Sequence, residues 1–300
     1  MNYMTPETRR EQPMNRIQTL VHEWLLHSGL DGDELLLESL LRRGFLAYRD
    51  GEGVWLGTGS HQADIDVLRL IEGLEIKEVS GHTDRLAAIR LRPFASDSNV
   101  SSTIMCLPEH DRGFTGYGPG GWTNYGDQSW EGYRHMVWGA KRPVCPASKL
   151  NGTSVYDALD TGVALLVKAL SLARVLTALS CDGHGHKPAY VALFYPWDAF
   201  WGEAVFHTLE LATPHSQWRW IGRSDGEGKL EILPIGGYGD DELLGMLENI
   251  QRFSRSLLDQ NLIDRIGRAR DRTLAWFGDQ SPAIDDFAEE ARRQLAKEIR

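Results

Sequence analysis

The segment Ser180-Cys181-Asp182-Gly183-His184-Gly185-His186 gathers a thiol, a carboxylate and two imidazoles into one short stretch. Glycines at 183 and 185 let the backbone take positive φ and fold tightly, so side chains close in sequence can converge on one point. Cys181, His184 and His186 are ligand types that a borderline-soft ion favours, which makes zinc (Zn2+) the expected cofactor. Three protein ligands leave a fourth position for water. Bound zinc lowers the pKa of that water to about 7, so the chemistry expected is that of a metal-dependent hydrolase. Asp182 is the candidate catalytic residue, as a general base, a further ligand, or the acceptor that orients an imidazole. A second reading competes with this one. The stretch is then a polar structural turn with Cys181 as a small core hydrophobe, and the protein is a non-catalytic interaction or adaptor protein.

Other titratable groups lie close enough in sequence to join the same site. Asp198, Glu203 and His207 fall on one expected helix, with Glu203 and His207 four apart on one face. Cys145, held extended between Pro143 and Pro146, is a distant fourth-ligand candidate, and Asp157 and Asp160 read first as helix caps. The motifs GxxxxGK[ST] and CxxC are missing, and no GxGxxG is flanked by strand and helix, so nothing in the chain names a substrate or a family.

The elements that must position the turn follow from periodicity. From Asp160 to Leu179 an apolar run with a narrow Lys168, Ser171, Arg174 stripe reads as one buried helix ending at Gly183. Ala189 to Tyr195 reads as a buried strand, Trp197 to Leu211 as a helix, and residues 217–222 and 229–235 as a hairpin around Asp225-Gly226. Upstream, helical spacing from Ile17 to Leu41 breaks at Gly29 to Asp33 into two helices. A hairpin about Asp50-Gly51, a helix from Ala63 and two strands ending near Pro93 follow. Two helices and a hairpin resemble a winged helix, used here as scaffold, since no basic recognition helix is present. Residues 95–150 interleave glycines with Phe114, Tyr117, Trp122, Tyr125 and Trp130 and are expected to be one irregular loop, packed on the body or serving as a lid.

The expected fold class is therefore α+β. A flexible leader (1–14) precedes a small N-terminal α+β unit (15–94) and the Gly/aromatic loop (95–150). Then come a central helix-strand-helix-hairpin α/β sandwich carrying the Cys/His turn (151–237) and a helical C-terminal segment (238–300). At 300 residues and 42% hydrophobic the chain can bury a large core. A net charge of −10 argues against a nucleic-acid partner, since phosphate backbones demand a basic face. No apolar run reaches membrane-span length, and three widely spaced cysteines fit reduced thiols, so a cytoplasmic protein with no membrane partner is expected. Its expected partners are a small-molecule or peptide substrate and, through Met246, Leu247, Ile250, Phe253, Leu257 and Leu258, a protein bound by the C-terminal helices.

Overall fold

The computed structural model describes residues 15–107 (except 52, 58–59, 61 and 80–84), 129–134 (except 132), 160–222 and 228–299. Within them the chain has a mixed α+β fold built on two four-stranded antiparallel sheets.

The first sheet has the order β1-β2-β4-β3, from β1 (Ala47–Asp50), β2 (Gly53–Gly57), β3 (Leu74–Glu78) and β4 (Arg85–Leu91). Helices α1 (Arg16–His27), α2 (Gly32–Arg43), α3 (Gln62–Leu68) and α4 (Asp97–Met105) accompany it. Asn15 caps α1 by accepting the Gln18 N–H, and Gly44, at φ 99°, ends α2. The Ala47↔Leu56 to Asp50↔Gly53 register is the hairpin that Asp50-Gly51 predicts. Helix α4 is a departure from the irregular loop expected from residue 95 onward. Ser96 caps it through the Asn99 N–H, and Val100, Ile104 and Met105 bury one face, a short helix that the glycine-rich residues after it obscure. The aromatics Phe114, Tyr117, Trp122 and Tyr125 lie outside the described residues.

The second sheet has the order β5-β6-β8-β7, from β5 (Thr177–Cys181), β6 (Ala189–Leu193), β7 (Ser216–Gly222) and β8 (Gly228–Pro234). It is covered by α5 (Ala164–Leu172) and α6 (Pro196–Thr208), then by α7 (Asp240–Ser256), α8 (Gln260–Phe277) and α9 (Ile284–Ile299). Here the structure corrects the long helix expected from Asp160 to Leu179. Helix α5 stops at Leu172, and Arg174 at φ 60° turns the chain so that residues 177–181 form β5. An apolar run that is buried on all sides cannot be told apart as helix or strand by periodicity. The stop rests on a non-glycine left-handed residue, Arg174, which pairs with Asp271 of α8 and so carries none of the usual composition cues.

One large core joins α1, α5, α6 and the three C-terminal helices, while a second lies under the first sheet. Between them runs a buried ion pair, Lys168 of α5 to Asp64 of α3 at 3.5 Å. Met246, Leu247, Ile250 and Phe253, the apolar stripe of α7, and Leu257 at its C-terminal cap are buried in the large core. Among the described residues no helix is long and apolar enough to cross a membrane.

Candidate metal centre

The end of β5 and the turn after it make the site. Gly183 (φ 74°), His184 (φ 50°) and Gly185 (φ 74°) are three successive left-handed residues, which reverse the chain between β5 and β6. Glycine is required at both flanks. A Cβ on Gly183 would stand 3.0 Å from the Pro188 carbonyl oxygen, and one on Gly185 3.0 Å from Arg16 Cδ. Arg16 braces the turn from α1 by donating to the Gly185 carbonyl at 3.0 Å while it pairs with Asp240 at 2.7 Å.

This reversal brings together Asp160, Cys181, Asp182 and His184. One potential ligand atom from each lies within 4.8 Å of all the others. Cys181 Sγ and His184 Nε2 are 3.5 Å apart. Two ligands on a tetrahedral zinc, with bonds of about 2.3 Å to sulfur and about 2.0–2.1 Å to nitrogen, stand about 3.6 Å apart, so this pair already has the spacing of an ion's coordination shell. Asp182 is fully buried, accepts the His184 backbone N–H at 2.9 Å and lies 3.5 Å from His184 Nδ1. Its carboxylate thus stands on the Nδ1 side of the imidazole while Nε2 faces the thiol, the side from which a carboxylate can orient a ligating histidine. Asp160 accepts the Asp182 backbone N–H at 3.0 Å. The His184 side chain is half exposed, so the group opens to solvent on that side.

Burial pushes the Cys181 thiol up to about 12, opposed by the Gly183 N–H that donates to its sulfur at 3.3 Å and reinforced by Asp160 and Asp182. Without a bound ion the thiol keeps its proton at physiological pH. A divalent ion reverses that balance, because it offsets the two carboxylates and stabilises the thiolate.

The turn supplies Cys181, Asp182 and His184 to the group, but not His186. His186 is exposed, and its backbone N–H closes the turn on the Gly183 carbonyl at 3.0 Å. The fourth member is Asp160, whose carboxylate binds the turn rather than capping α5; the residue at the cap of that helix is Val163, with no side-chain cap. Spacing within the turn could not reveal Asp160, since it comes from the chain entering α5. Tyr190 was also missed. It sits opposite Cys181 across the β5–β6 ladder, and burial, then Cys181 and Asp160, raise its hydroxyl pKa. Reading residues 177–181 as a strand would have placed it there. Asp198 instead pairs with Arg270 in the core, and Glu203 and His207 approach each other at 3.8 Å on α6, outside the group. Cys145 and Asp157 lie outside the described residues.

The chain matches no known family model, no curated protein and no solved structure.

Proposed function

We propose that the protein is a metal-dependent enzyme, hydrolytic in class, whose centre is built from Cys181, His184 and Asp160 with Asp182 holding His184 in place. The observation that carries this reading is the convergence of four ligand-type side chains within 4.8 Å, with the thiol and imidazole at ligand spacing. The set of one sulfur, one nitrogen and carboxylate oxygen favours zinc over hard ions, which take all-oxygen shells. Bound there, the ion would supply Lewis acidity and a water of lowered pKa. The chain's own contribution is rigidity and proton placement. The left-handed turn fixes His184, Asp182 accepts its backbone N–H and stands on its Nδ1 side, and the half-exposed side of the imidazole leaves room for a small-molecule or peptide substrate to approach. A Cys181 free of any disulfide suits a reducing, cytoplasmic setting.

Cobalt substitution tests the ligand set. Co2+ added to the metal-stripped protein should give a thiolate-to-metal charge-transfer band that Cys181→Ser abolishes and His184→Ala weakens, and the loaded protein should then hydrolyse members of an ester, amide and phosphoester panel. A cobalt spectrum unchanged by Cys181→Ser would refute the site.

A further inference from the structure

Four helices, α1, α2, α5 and α7, meet around a cavity of about 300 Å3 that opens to solvent. Val21, Leu247 and Ile250 give it apolar walls, and Thr161, Gly162 and Leu165 bring in the first turn of α5, which no side chain caps. Such a turn presents N–H groups and a partial positive charge. Arg42 of α2 is the cation in the lining.

The Arg42 side chain is 9% exposed, with its guanidinium carbon 3.8 Å from the Trp24 ring centroid. The carboxylate beside it belongs to Glu38, 3.4 Å from Nε, yet the approach is misaligned and Nε is buried without a hydrogen-bond partner. Glu38 is engaged elsewhere. Its Oε2 accepts from Gln251 Nε2 at 2.8 Å, and its Oε1 pairs with Arg255 at 2.9 Å. Among the described residues nothing hydrogen-bonds the two Nη atoms of Arg42. At Glu38, therefore, two arginines share one carboxylate. Burial pulls the Arg42 pKa down, with Glu38 opposing that shift and Arg255 adding to it. A buried cation with unmet donors is costly until an anion reaches it.

We propose that this cavity binds a short aliphatic carboxylate, whose two oxygens accept from the Arg42 fork while its chain lies against Val21, Leu247 and Ile250. A planar guanidinium matches a carboxylate bidentately, and a single negative charge balances the surplus positive one. Inorganic phosphate overshoots that surplus beside Glu38 and has no apolar part for the walls. A neutral amide of the same shape keeps the apolar contact and leaves the Arg42 charge unbalanced. The site stands apart from the metal group, although Gly162 borders both, since a Cβ on it would lie 2.8 Å from Asp182 Cβ.

Butyrate is the probe, titrated into the full chain and followed by ligand-observed NMR, with butyramide and inorganic phosphate as controls. Saturable butyrate binding is expected, at least tenfold tighter than either control. Arg42→Gln leaves Glu38 held by Gln251 and Arg255 and should weaken butyrate tenfold or more. Should that variant fail to fold by circular dichroism, Arg42→Lys keeps the charge without the fork and should weaken binding in the same direction. A chelator should leave binding unchanged, because no metal ligand lines the cavity. The proposal is overturned if butyrate does not saturate the folded protein, if butyramide or phosphate binds as well, if chelator abolishes binding, or if Arg42→Gln, or Arg42→Lys in its place, binds butyrate like the wild type.

Discussion

Cys181 is the residue on which the chemistry turns, and burial sets its behaviour. A thiol held at about 12 keeps its proton at neutral pH, so a metal that binds the sulfur must displace that proton. Apparent Zn2+ affinity should therefore rise about tenfold per pH unit from pH 7 to 9, measured by competition with a chromophoric chelator. An affinity flat over that range would mean that the sulfur is not a ligand. The stability of the metal-free protein moves the opposite way. Because the folded-state pKa lies above the ordinary thiol value of 9.0, the unfolded chain loses its proton first, and stability falls as pH rises from about 9 towards 12. Thermal melts of the stripped protein and of Cys181→Ser across that window should diverge only above pH 9. His184 needs its left-handed backbone to face the thiol, and that geometry belongs to its glycine neighbours. Gly183→Ala forces a Cβ against the Pro188 carbonyl at positive φ, and a loss of about 1–3 kcal/mol is expected, with metal binding lost alongside stability in denaturant titrations.

Among the elements, the paired Asp198 and Arg270 bind α6 to α8 in a setting where neither charge meets water. Asp198→Asn leaves Arg270 bare and should destabilise the protein by about 3–5 kcal/mol in urea, whereas Arg270→Met/Asp198→Asn should recover most of that loss. Which elements could be read from sequence follows from how they announce themselves. Helices α1 and α2, the Asp50-Gly51 hairpin and the three C-terminal helices carry caps, turn residues or clean amphipathic stripes, and the chain forms them close to where those signals lie. Strand β5 carries no such signal. It follows α5 through Arg174 with no glycine or proline between them, and Thr177-Ala178-Leu179-Ser180-Cys181 alternates too weakly to stand apart from the helix before it. That one ambiguity propagated into the site. With residues 177–181 taken as helix, Cys181 has no cross-strand partner, so Tyr190 stays invisible, and Asp160 reads as a cap rather than as the carboxylate that meets the turn. Three of the four grouped side chains were legible because they are local in sequence; Asp160 was not, because only the tertiary path from α5 to β5 brings it back.

For the molecule as a whole, α1 and the C-terminal helices belong to the same core as the second sheet. Met246, Ile250 and Phe253 are buried there, and Arg16 ties α1 to both the metal turn and Asp240 at the start of α7. Truncation after Gly239 should consequently give insoluble protein rather than a folded body lacking a partner; a monodisperse, folded fragment on size exclusion would contradict that. Whether Asp160, Cys181 and His184 hold a metal is read by elemental analysis of purified protein. The wild type and His186→Ala should each carry about one equivalent of zinc, while Asp160→Asn, Cys181→Ser and His184→Ala should each lose it with the fold retained by circular dichroism. A wild type without stoichiometric metal after zinc loading, or loss of metal in His186→Ala with retention in Asp160→Asn, would rule out this metal centre.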